Sequence, residues 1–381
     1  MSGEVPGSTE LGSRIRSLAG PCGFLPFDRF MDLALYAEGV GYYTSGRTRL
    51  GPHGDFYTAA HVHPLFARTI ARRILEVRQA LGGYRPFSIV ELGPGDGTLA
   101  EGIVRSLDRA AGSGGALEYV LVERSSPLRT LALARARAAG EAAGVRVRER
   151  PGLSTDGPFS GVVIASEVLD AQPVRRFRWT GSEWLELGVR WEGDRVVAAE
   201  SRPDRSIAGA PLAPADREGL VAEVSSGAEA LVREVADHLV RGEFVVLDYG
   251  MDEDELRSGH PSGTLAAVRS HRDAGDPFGS PGENDLSTFV NFTRVRSAAR
   301  AAGLVELGFD RQAEALGRWG FPTLLAAELR EARTPEEEVR TRLAAKNLAF
   351  GFDRFRVLEL AAPASAEALA QLRSEDPAGG R

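Results

Sequence analysis

Cysteine and lysine are almost missing from this chain. Cys22 is the single cysteine in 381 residues, so neither an internal disulfide nor a cysteine-rich zinc site can form within it. Lys346 is the single lysine, and arginine carries the rest of the positive charge. No apolar run reaches the ~18 residues of a membrane span, and no apolar secretory leader opens the sequence. A cytoplasmic protein is therefore expected. An excess of positive charge is also absent: the formal net charge is −7, a poor match for a phosphate backbone. Nucleic-acid and membrane partners are not expected, and a homodimer remains open. What the chain does have is 43% apolar residues, enough for one large core or two smaller ones.

The stretch Phe87 to Ala100, FSIVELGPGDGTLA, places Gly93, Gly95 and Gly97 directly behind an apolar run and ahead of a helix start. Strand, glycine turn and helix in that order describe a backbone that must approach a ligand closely. Around it, apolar strands alternate with helical periodicities. Strands are expected at 118–123, 145–149, 161–166, 244–249, 304–309 and 354–360, and helices at 64–81, 97–109, 126–139 and 286–302. Such repeats imply a largely parallel sheet covered by helices. Strand-like pieces at 174–179, 184–191 and 195–199, then a helix at 217–240, read as an insertion. The segments 1–23 and 363–381 read as a disordered N-terminus and a tail.

Two ligands compete for the glycine turn. A dinucleotide fingerprint requires G-x-G-x-x-G with an acid about 20 residues on. Here the spacing is G-x-G-x-G, with Glu91 on the strand before the turn and Glu123 ending the next strand. That pattern resembles the loop of S-adenosylmethionine (SAM) methyltransferases, in which the acid after the second strand accepts from both ribose hydroxyls. A carboxylate suits a diol because it offers acceptors only.

Four further segments carry a more specific resemblance. FMDLALYAEGVGYY with GDFYTAAHVHPLF, then ELGPGDGTL, then SEVLDAQPV, and finally DYG with GTLAAVRSHR and PGENDLSTFVNF resemble, in order, the signatures of the MidA-type methyltransferases. That family includes a mitochondrial protein arginine methyltransferase that assists complex I assembly. The resemblance implies an α/β fold of class I methyltransferase type, with a Rossmann-like seven-stranded sheet. Along the chain this reads as an N-terminal helical lid (24–84), core halves at 85–174 and 243–362, the second with a substrate loop at 250–285, and a β/α insertion at 175–242. The resemblance also implies S-adenosyl-L-methionine as cofactor and a guanidine as acceptor. The partner would be an arginine-containing protein or a small-molecule guanidine.

Site residues follow from both lines. Cofactor-binding candidates are Thr58, Glu91, Gly93, Gly95, Gly97, Glu123, Ser166 and Glu167; Thr58 comes from the resemblance alone, near the methionine end, with Gly54, Asp55 and Phe56 shaping its loop. Catalytic candidates are Glu167, Asp170, His271 and Asp285. Glu167 and Asp170 follow a sheet strand where ligands bind in such folds, and carboxylates can orient a guanidinium and take its proton. Their structural alternative is an acidic pair at a helix N-terminus. Asp285 is a helix N-cap in its own structural alternative. His61 and His63 lack the further ligands a metal needs, and no metal is expected. The chain departs from the family at Ser166, usually asparagine, and at Phe289 and Asn291, where the family has histidine and aspartate. Other acceptors, a non-catalytic assembly factor keeping the fold, and a nicotinamide oxidoreductase are the rival functions.

Overall fold

The computed structural model describes residues 6–20, 23–47, 51, 58–108, 117–153, 157–192, 195–203, 215–269 and 272–375. It divides into two compact units. One comprises Met1–Phe56, Leu169–Leu231 and Gly250–Val295; the other comprises Tyr57–Val168, Val232–Tyr249 and Arg296–Arg381. Cys22, the loop residues Gly54, Asp55 and Phe56, and His271 lie outside the described residues.

The second unit holds the large sheet. Its strands run in the order Val305–Arg311, Phe355–Ala361, Leu239–Met251, Phe159–Ser166, Phe87–Leu92, Leu117–Val122, Arg146–Arg150. All neighbours pair in parallel except Phe355–Ala361, which is antiparallel to both of its neighbours. This is the seven-stranded α/β sheet expected, with strand bounds within a few residues of those read from the sequence. Continuous apolar runs such as Val162, Val163, Ile164 and Ala165 are buried on both faces, as a helix-covered parallel sheet requires.

Helix Pro64–Ala80 turns Leu65, Phe66, Ile70, Ile74 and Val77 into the core beside this sheet. Pro64 sits at its first turn and the His63 ring accepts from the Leu65 amide at 3.2 Å. His63 is thus a helix cap. The expected lid of 24–84 divides accordingly, since 58–80 belongs to the sheet's own core and 24–47 to the other unit. The expected tail is also ordered over its first part: helix Ala366–Glu375 buries Leu369 completely in the same core.

A buried ion network ties these helices to the sheet. Arg73 grips Glu243 through Nε at 3.1 Å and Nη2 at 2.5 Å, and also lies 3.2 Å from Glu359. Glu359 further accepts from Arg318 at 2.8 Å, from the Trp319 indole at 3.2 Å and from Arg373. Asp310 accepts from the same Nη2 of Arg318 at 2.8 Å and from the other arm of Arg373 at 2.6 Å.

The first unit is built on antiparallel pairing. Strands Leu25–Pro26, Trp184–Glu192, Arg175–Trp179 and Val221–Val224 are neighbours in that order, with Arg195–Ser201 added to Trp184–Glu192. The strand Val221–Val224 replaces the start of the helix expected at 217–240; the helix proper is Ser226–His238. The N-terminus expected to be disordered forms helix Pro6–Ala19, whose Leu11 and Ile15 are buried against Phe27, Phe30 and Met31. The helix expected at 286–302 begins only at Phe292. Before it come two short strands, Asp285–Ser287 in a three-stranded sheet and Val290–Asn291 paired with Gly250 and Met251.

Candidate active site

In the second unit, chain order reverses at strand Phe87–Leu92, whose neighbours are Leu117–Val122 on one side and Phe159–Ser166 on the other. Ligands of open α/β sheets bind at the carboxyl ends of strands at such a switch point. The register sets Leu92 opposite both Val122 and Ala165. Gly93, Glu123 and Ser166 therefore leave the sheet along one edge. Backbone bonds continue the ladder past that edge: the Gly93 amide donates to Val122 O at 2.8 Å, Glu123 to Arg150 O at 2.9 Å and Glu167 to Leu247 O at 2.9 Å.

The glycines have reasons of their own. Gly93, Gly95 and Gly97 all have positive φ, at 60, 56 and 81°, a region costly to other residues. A Cβ on Gly97 would stand 2.7 Å from the Ala132 backbone, and one on Gly93 would stand 2.9 Å from the Val168 side chain. Two of the three are thus needed by the packing of the turn itself as well as by any ligand.

The acids around this turn are tuned apart. Burial pushes Glu123 up to about 7, against the pull of the Ser125 amide, which donates to its Oε1 at 2.6 Å. Burial pushes Glu91 up to about 8; the Tyr119 hydroxyl opposes this, donating to Oε2 at 2.8 Å, and the charges of Asp96 and Glu123 add to it. Asp96 goes the other way. Burial would raise it, but bonds from His61 and from the Thr98 hydroxyl and amide outweigh that and hold it well below the usual carboxylate range. His61 links Asp96, at 3.3 Å, to the Thr58 hydroxyl, at 2.8 Å. Asp96 and His61 are residues that the sequence reading left without a role. Asp96 could have been found, because an Asp in a turn bonds the backbone amide two residues on, as it does here with Thr98.

Glu167 stands at the same edge, not at a helix start. It has φ 57°, the only positive φ of a non-glycine residue among those described, and no helix begins at 167–174. Its strained position is held by its own amide bond and by the following Val168 amide, which donates to Asp248 Oδ2 at 3.1 Å. Backbone strain of this kind gathers at functional positions.

The first unit brings together a different group. Asp285 lies on a strand, opposite Val268, so it is not the N-cap of a helix. Its Oδ1 accepts from the Tyr43 hydroxyl at 2.7 Å. Tyr43 stacks on Tyr36 with ring centroids 5.5 Å apart. The Tyr36 hydroxyl donates to Ala171 O at 3.1 Å, and the Thr288 amide donates to Asp170 O at 3.1 Å. Burial, then the charge of Asp285, then Tyr36 and Asp170, hold the Tyr43 phenol well above its ordinary range, so it stays a neutral donor. Asp170 and Asp285 are both buried. Phe289 places its ring edge-on to His260 at 5.0 Å, and the Asn291 side chain accepts from the Arg294 amide in the helix that follows. Tyr36 and Tyr43 carried no signal in the sequence beyond the N-terminal signature itself.

Comparison with known proteins joins this geometry to a family. A family model of S-adenosyl-L-methionine-dependent methyltransferases matches residues 69–310. The chain belongs to that methyltransferase family. A crystal structure of a Burkholderia thailandensis protein bound to S-adenosyl-homocysteine is 31% identical, covering 97% of this chain and 98% of that one, with a TM-score of 0.85. A native crystal structure from the same organism superimposes with a TM-score of 0.82 at 31% identity, covering 97% of each chain. Among curated relatives, the mitochondrial protein arginine methyltransferase NDUFAF7 homolog of Drosophila melanogaster is 26% identical over 78% of this chain and 72% of its own length. NDUFAF7 of Homo sapiens is 26% identical over 80% and 72%. This methyltransferase is an enzyme that uses S-adenosyl-L-methionine, and its turn fits that cofactor: left-handed glycines at the switch point and a buried acid, Glu123, just past the neighbouring strand. Among the described residues no acidic, histidine or cysteine cluster could hold a metal, and no helix is long and apolar enough to cross a membrane.

Proposed function

We propose that this methyltransferase transfers a methyl group to a guanidine nitrogen of arginine, in a protein or as a small molecule. The observation that carries the proposal is the buried pair of carboxylates, Asp170 and Asp285, gathered around Tyr43 and Tyr36. Planar cations pair with carboxylates and stack on aromatic rings. The names of the curated relatives point the same way.

The bound cofactor supplies an electrophilic methyl group on a sulfonium. The chain supplies the rest. Glu123 accepts from the ribose diol, the glycine turn with Glu91 and Ser166 lines the crevice, and Thr58 serves the methionine end. Glu167 holds the guanidinium in line and receives the proton that the nitrogen loses on gaining a methyl. Asp170 and Asp285 fix the cation, and His271 is assigned to the same acceptor loop. Rate then comes mainly from alignment in a site closed to water.

The test incubates enzyme and labelled cofactor with free arginine, an arginine peptide and a cell extract. Label in methylarginine after acid hydrolysis supports the proposal, and the input that carries it tells protein from metabolite. Label released by mild base would mean a methyl ester and would overturn the guanidine.

Cofactor affinity should also fall with pH. Glu123 is held up near 7 by burial, and the diol donates to its ionised form, so binding must expel a proton below that value. Below pH 7 affinity should drop by up to about tenfold per unit. Glu123→Gln should weaken binding by about tenfold or more and flatten that slope. Calorimetry across pH 5.5–8.5 reads both, and a slope unchanged in Glu123→Gln would remove Glu123 from the cofactor.

A further inference from the structure

Thr58 caps the single turn Ala59–Val62, with His61 at its third position. The His61 Nδ1 receives two groups from Thr58, the hydroxyl at 2.8 Å and the backbone amide at 3.4 Å. Its other nitrogen, Nε2, faces Asp96 Oδ2 at 3.3 Å. Asp96 lies inside the glycine turn and is itself pinned. Its Oδ1 accepts from the Thr98 amide at 3.0 Å, and its Oδ2 accepts from the Thr98 hydroxyl at 3.0 Å and from Arg135 at 2.7 Å.

The direction of each proton follows from these partners. An ionised carboxylate can only accept, and Asp96 is held ionised by its bonds. The proton between Asp96 and His61 therefore sits on Nε2. In that tautomer Nδ1 carries a lone pair, which the Thr58 amide aimed at it also requires. The Thr58 hydroxyl has one proton, and it goes to Nδ1. What remains on its oxygen is lone pairs alone.

We infer that His61 is a positioning residue that makes Thr58 an obligate hydrogen-bond acceptor, and that the group Thr58 receives is the α-ammonium of the cofactor's methionine end. Of the cofactor's donors, the ribose diol belongs to Glu123, the adenine amino group lies on the far side of that ribose from the methionine end, and the α-ammonium is cationic and can only donate. The relay crosses from the 58–62 turn to the glycine turn, so it aligns Thr58 with the same crevice edge. This deepens the cofactor assignment and rests on the methionine end lying beside Thr58.

The experiment measures, by calorimetry on the full-length protein, the affinities of S-adenosylhomocysteine and of its analogue lacking the α-amino group. The unaltered protein should prefer the amine by about tenfold or more. Thr58→Val should abolish the preference, and Thr58→Ser, which keeps the hydroxyl, should retain it. His61→Phe should cut the preference about fivefold or more while leaving the deaminated analogue bound nearly as before. A purely structural His61 would weaken both ligands by the same factor, and that result, or no change at all, overturns the relay. A full preference in Thr58→Val overturns instead the placement of the methionine end. Should His61→Phe fail to fold, Asp96→Asn reads the relay instead: it removes the carboxylate that fixes the proton on Nε2, so the preference should fall, and an unchanged preference overturns the relay.

Discussion

Glu167→Gln is expected to bind S-adenosyl-L-methionine nearly as the unaltered protein does, while its turnover falls about 100-fold or more. The amide keeps the shape of the side chain and removes the charge that holds a guanidinium and accepts its proton. The backbone argues for function as well. A non-glycine residue at φ 57° costs roughly 1–2 kcal/mol, and here two backbone donors, the 167 and 168 amides, hold it in place. Glu167→Gly separates the two roles. Relief of that strain offsets the glycine's entropy, so folding stability should stay within about 1 kcal/mol, yet turnover should be lost. Steady-state rates on the methylated acceptor, calorimetry with the cofactor and thermal melting together make the test. Normal turnover by Glu167→Gln would make the residue structural.

Arg73→Met should cost about 3–5 kcal/mol of folding stability. Arg73, Glu243 and Glu359 are 3%, 0% and 1% exposed, and Arg73 contacts both acids directly, with Arg373 adding a weaker pull on Glu243. Burial already pushes Glu243 above its ordinary value, Arg73 opposes that, and Glu359 adds to it. Without the guanidinium, Glu243 must take up a proton to stay inside. A carboxyl whose folded pKa is raised favours folding at low pH and loses that contribution as pH rises through the folded value. The defect of Arg73→Met should therefore deepen from pH 5.5 to pH 8.5. Adding Glu243→Gln should recover at least about 1 kcal/mol, because the two residues are coupled. Denaturant titration at both pH values measures this; a loss under about 1 kcal/mol at pH 8.5 would show that the network contributes little.

The sheet and the glycine turn were legible in the sequence because a parallel sheet writes itself as continuous apolar runs, and its ladder sets successive strand ends side by side. Gly93, Glu123 and Ser166 meet for that reason alone. The His61–Asp96 contact was not legible, since it joins residues 35 apart in sequence through a turn whose periodicity says nothing of direction. The stretch 286–302 misled because Asp285, Leu286 and Ser287 pair with a strand nearly 20 residues earlier, an interaction that outweighs the local helical pattern. At the two ends of the chain, Leu11, Ile15 and Leu369 decided the outcome: a few buried apolar positions tie down helices Pro6–Ala19 and Ala366–Glu375 within segments that otherwise read as loose.

The chain passes between its two compact units five times, at 56/57, 168/169, 231/232, 249/250 and 295/296. One of these passages follows Glu167 by a single residue, and another falls inside the strand Leu239–Met251. Neither unit is a continuous piece of polypeptide, so no truncation can release one from the other. Exchanging the first unit with that of a relative would mean grafting three separate segments at once, with one junction a single residue past Glu167. Point substitution, more than recombination of modules, is the route by which such a protein can change what it methylates.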